Sequence, residues 1–169
     1  MLLTEYRPFK VERQLAEQAV KENKSLIVTG VLQRAEAKNQ NERVYPKDIL
    51  EREVEKYMEG PVAENRAMGE LDHPESSIIN LQNVSHNIKK CWWDGDDVMG
   101  EVEVLDTPAG KILKALFAAG IVVGISSRGL GSVEENLNEG KIKLPEYKYT
   151  NVNNIIRDII CENTGVCKR

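Results

Sequence analysis

Histidine is nearly missing from this 169-residue chain, which has two, and cysteine is scarce, with three. Cys91, Cys161 and Cys167 are odd in number and include no C-x-x-C pair, so they outline neither a disulfide framework nor a zinc knuckle. No apolar run approaches the length of a membrane span, and the opening MLLTEYRPFK is too short in apolar residues for a signal-peptide core. Positive charge is not in excess: 23 Lys and Arg against 27 Asp and Glu leave a formal net charge of −4, which argues against a nucleic-acid partner. Internal repeats and low-complexity segments are also lacking. The expectation is a soluble, cytoplasmic protein of a reducing compartment, with no cofactor, metal, nucleic acid or membrane in its chemistry.

What is present is ordinarily globular, 41% hydrophobic and 30% charged, and long enough for one domain over residues 1–169 that needs no covalent staple. Residues 11–23 place Val11, Leu15, Ala19 and Val20 at helical spacing on a thin stripe, which predicts a surface helix. Residues 24–33, rich in aliphatic and β-branched side chains, predict a buried strand. Pro46 opens a helix with Leu50, Val54, Tyr57 and Met58 on one face and a Gly60-Pro61 stop. Two strand-like runs, Val84 to Trp93 and Val98 to Leu105, flank DGDD and predict a hairpin with one face of the second strand solvated. Thr107-Pro108 caps a helix whose stripe is Ile112, Leu113, Leu116 and Phe117, ended by Gly120. The run IVVGISSR follows as a strand, and Ile155 to Ile160 fits a strand or a short helix. The irregular mixture predicts an α+β fold with a mainly antiparallel sheet or barrel.

Within GISSRG, residues 124–129, the question is whether two serines close a strand with turn residues or supply a nucleophile. A serine hydroxyl attacks at neutral pH only with a base in reach. His73, in the Gly- and Pro-bounded loop GELDHPE, is the better candidate base. His86 shares a strand face with Val84 and Ile88 and is expected to be structural. By the same alternation Ser127 goes with Val123 and Ile125, whereas Ser126 goes with Gly124, which leaves room for a substrate backbone, and Arg128, which brings positive charge towards a developing oxyanion. Ser126 is the expected nucleophile. A metal reading from Glu70-x-x-His73 and the DGDD acids is weak, because a single E-x-x-H is half a set and turn preference explains the acids. For an acid that would orient the base, Glu146 and Asp158 are the candidates after the serine; Asp158 interrupts an aliphatic run and so needs a partner, which Arg157 or Lys168 would equally provide.

NQNERVYPKDIL, GELDHP, WWDGDDVMGEVEVL and GISSRGLGSV, in this order between about residues 26 and 133, together resemble the prohead core proteases of T-even-type tailed phages. The resemblance implies a fold related to the herpesvirus assemblin proteases, with a β-barrel-like core surrounded by helices. It places the general base on His73 and the nucleophile on Ser126, in a serine endopeptidase that cleaves scaffold and major capsid proteins, and itself, usually after glutamate. The setting it implies is host cytoplasm, inside the prohead, with a homo-oligomer left open. Residues 141–169 form a diverged or truncated C-terminal segment: Asp158 is the nearest counterpart of the family's acid, and the proline-serine stretch that should follow is replaced by CENTGVCKR. A catalytically silent prohead core assembly protein that keeps the protease fold is the alternative.

Overall fold

The computed structural model describes residues 2–9, 11–39, 43–72, 78–136 and 146–160, with only the backbone of 2–8, 129–136 and 146–160. Its strands are β1 (Leu2–Phe9), β2 (Leu26–Arg34), β3 (Arg43–Val44), β4 (Met68–Glu70), β5 (Val84–Asp94), β6 (Asp97–Val104), β7 (Val123–Asn136) and β8 (Glu146–Ile160). The helices are α1 (Arg13–Glu22), α2 (Lys47–Tyr57) and α3 (Pro108–Ala118). Two separate four-stranded sheets result, in the orders β2-β6-β5-β4 and β1-β7-β8-β3. Every pairing is antiparallel except the short β3 with β8. The fold is mixed helix and antiparallel sheet as expected, but the barrel is not: the strands stop in two open sheets instead of closing on one another.

The first sheet grows from the hairpin that the sequence announces. Asp94 pairs with Asp97 across Gly95 and Asp96, and Gly95 takes φ +61°, a conformation open to a residue without Cβ. In β6, Val98, Gly100, Val102 and Val104 are buried and alternate with half-buried Asp97, Met99, Glu101 and Glu103. That face packs into a core with Ile88, Val28, Leu32, Leu113 and Phe117. The two sheets meet where Phe9, at the end of β1, lies over Gly30 of β2, so closely that a Cβ on Gly30 would stand 2.5 Å from the ring.

Thr107 caps α3 by accepting a hydrogen bond from Gly110 N–H at 3.0 Å. The buried face is Ala109, Gly110, Leu113, Lys114 and Phe117, so the expected stripe is rotated: α3 packs on the sheet and on α1 along that face and leaves Ile112 54% exposed. In α1 the same contact buries Ala16 and Ala19 and leaves Leu15 and Val20 outside, which corrects the apolar stripe read from sequence. Leu50, Val54 and Tyr57 of α2 are buried as their spacing predicts, but Gly60-Pro61 does not end the helix; the chain continues through a wider π turn, Met58–Val62. Residues 2–9 and 68–70, read from sequence as no element and as loop, are strands.

Candidate active site

GISSRG lies inside β7, which runs on to Asn136, so the serines are not turn residues closing a strand. With β1 on one side and β8 on the other, β7 is central in its sheet, and all residues from 123 to 128 are buried. Ser126 is 1% exposed and Ser127 4%, and among the described residues neither hydroxyl has a hydrogen-bond partner. A buried hydroxyl without a partner costs about 1–3 kcal/mol. Two in succession are a feature that folding alone disfavours and that often marks a site of chemistry.

Burial does not separate the two serines, since both faces of the strand are covered; the register does. Ser126 stands opposite Tyr6 on β1 and Asp158 on β8, while Ser127 stands opposite Glu5 and Arg157. The stretch from Ile155 to Ile160 is strand, which resolves the strand-or-helix choice and brings Asp158 level with Ser126. Glu146 begins β8 opposite Asn136, ten residues further along β7 than Ser126, a separation of roughly 30 Å at strand rise. Lys168, the other proposed partner for Asp158, lies outside the described residues.

Gly124 is buried at the start of β7. Arg128 is wholly buried, and its Nη2 donates to Glu70 Oε2 in an ion pair with the equally buried carboxylate. Glu70 also accepts from the backbone N–H of Asn80 through Oε1, at 3.0 Å. The sequence reading missed this pairing. Its partners are 58 positions apart, and no local pattern links a glutamate in a presumed loop to an arginine on a strand.

His73 lies outside the described residues, which stop at Asp72 and resume at Ile78. His86 is fully buried on β5, paired across the sheet with Gly69 and Val104, and its Nδ1 is 2.9 Å from Ser85 Oγ. Of the acids around the hairpin turn, Asp96 bonds to Lys47 Nζ at 3.0 Å and Asp97 to Arg34 Nε at 2.5 Å. Among the described residues no cluster of three or more His, Cys, Asp or Glu forms a metal cage.

Comparisons with known proteins concern the chain as a whole. A family model described as prohead core protein serine protease matches residues 6–157. The prohead core protein protease of Enterobacteria phage T4 is 40% identical over 117 residues, which are 68% of this chain and 55% of that protein, so the match spans about half of the relative's length. The solved structure of the bacteriophage T4 capsid assembly protease gp21 superimposes with a TM-score of 0.77 at 27% identity, covering 96% of this chain and 98% of that one.

Proposed function

The chain belongs to the prohead core protein serine protease family, and on that premise we propose that it is a serine endopeptidase of phage prohead maturation. Its substrates are the scaffold and major capsid proteins and its own chain, inside the prohead in host cytoplasm. The observation that carries the reading is Ser126: a buried hydroxyl without a partner among the described residues, on an inner strand of its sheet, level with an acid on the next strand. We extend the proposal to kinship with the herpesvirus assemblin fold, supported by antiparallel sheets with helices outside them.

In the proposed mechanism His73 removes the Ser126 proton as the oxygen attacks the scissile carbonyl, and returns it to the leaving amine; water then releases the acyl group by the same route. Asp158 orients the imidazole and stabilises its protonated form. The oxyanion forms beside Ser126, with Gly124 and Ser127 flanking it on the strand and the Arg128 charge two residues along. Glutamate before the scissile bond is the expected preference, since an arginine fork suits a carboxylate.

Labelling with a fluorophosphonate, followed by mass mapping, tests the reading directly. The enzyme takes the label on Ser126 and generates new termini in co-expressed scaffold and capsid proteins; a silent assembly module does neither. The rate should rise with pH through one ionisation near about 6.5, the ordinary histidine value, and should lose that limb in His73→Ala. A pH profile unchanged by that substitution would move the base elsewhere.

A further inference from the structure

The Glu70–Arg128 pair is the most completely buried ion pair among the described residues, with neither side chain exposed. We propose that Glu70 is a positioning residue that holds the neck of the His73-bearing loop against the serine strand. The proposal rests on the protease reading above.

Two contacts of this one side chain, and a backbone bond beside it, carry the proposal. Glu70 is the last residue of β4, and the chain leaves it towards His73, three residues on and so within roughly 11 Å. Its Oε1 accepts from Asn80 N–H at 3.0 Å, where the chain returns, so the carboxylate bridges the two ends of the segment between them. Asn80 is itself fixed, its side chain accepting from Gln82 N–H at 3.1 Å. The neighbouring Leu71 N–H to Asn83 carbonyl bond, 2.9 Å, draws the same ends together. The second carboxylate oxygen binds Arg128, two residues beyond Ser126 on β7 and so roughly 7 Å along the strand. Glu70 thereby fastens the histidine loop at both ends and ties it to the strand of the nucleophile, across the gap between the two sheets.

Local backbone geometry supports a dedicated role. The β4–β5 register slips between Gly69 and Glu70, with Ser85 of β5 as the extra residue, and bulges of this kind are over-represented next to active sites. An apolar pair of the same volume would often stabilise the fold as well as a buried ion pair does. What charge and directional hydrogen bonds add is a fixed distance, and a nucleophile and its base need that distance held closely.

The deciding variant is Glu70→Asp, which keeps the charge and withdraws the carboxylate by one methylene, so that it cannot reach both Asn80 and Arg128. With a glutamate-containing substrate peptide, kcat should fall about 10²-fold, while KM changes by less than about twofold, because Glu70 touches no substrate. Hydrogen exchange at the Asn80 amide should quicken by roughly tenfold or more, with β6 amides unchanged. Glu70→Gln, which keeps the length but loses the charge, should show the same kcat loss. The proposal is overturned if Glu70→Asp keeps the kcat and the Asn80 protection of the parent protein. It is equally overturned if exchange quickens uniformly across the chain, which marks a role in stability alone. Absence of Ser126 labelling and cleavage in the parent protein would instead sink the protease reading, and the Asn80 exchange would still report whether the neck exists.

Discussion

Strands β6 and β7 are each central in a four-stranded sheet, yet they are built differently. In β6 every second residue is buried and the others are half in solvent, whereas in β7 six consecutive residues are buried and three of them, Ser126, Ser127 and Arg128, are polar. A strand covered on both faces is ordinarily a continuous apolar run. Strand β6 is thus accounted for by packing, although its neighbour β5 also buries Ser85, His86 and Asn87 in succession. Strand β7 carries two hydroxyls without a hydrogen-bond partner among the described residues and, beside them, a buried charge.

The sharpest way to break this contrast is Ser126→Ala. Cleavage should drop by at least about 10³-fold, with Tm kept or slightly raised because an unpartnered hydroxyl is removed. Ser127→Ala should cost much less activity. Equal and complete loss in both variants would remove the distinction drawn from the register. Next in size is Asp158→Asn, expected to cut kcat by about 10²-fold to 10⁴-fold, whereas Glu146→Gln, opposite Asn136 at the far end of the strand pair, should do little. A reversed order would transfer the orienting role. The smallest effect on turnover is expected in the other sheet: Ile88→Ala should lower stability by about 2–5 kcal/mol, read by urea denaturation, and leave the kcat of folded protein near normal. A large kcat loss there at full folding would mean that the sheets do not divide the tasks as described.

Local signals made much of this legible in advance. The hairpin needed only Gly95 between alternating residues, α3 only Thr107-Pro108 and an apolar period, and the serine strand only its aliphatic approach. What the sequence hid depends on distant partners. β1 and β4 are strands because β7 and β5 offer hydrogen bonds to them, at separations a pattern of neighbours cannot reveal. The face of α1 follows from its packing on α3, which selects Ala16 and Ala19 over the larger Leu15. Pro61 is tolerated because a π turn accommodates a residue without N–H, which a rule about α-helix interiors does not foresee. Around GISSRG, the strand could be read from its aliphatic approach, while the partner of Arg128 and the level of Asp158 could not. Both are facts about register.

The pairing of residues 2–9 with 123–130, and of the latter with β8, also sets an order of events in time. The β5–β6 hairpin closes over two residues and can form early, whereas the serine strand, though it meets β8 across one connection, acquires β1 only when the two ends of the described chain have been joined. The surroundings of Ser126 are therefore expected to be completed late. Pulsed hydrogen exchange during refolding should find amides 84–104 protected before 123–128, and the opposite order would refute the sequence of assembly. A growing chain on the ribosome would bring Asp158 level with Ser126 only after β8 has emerged, a delay written into connectivity alone.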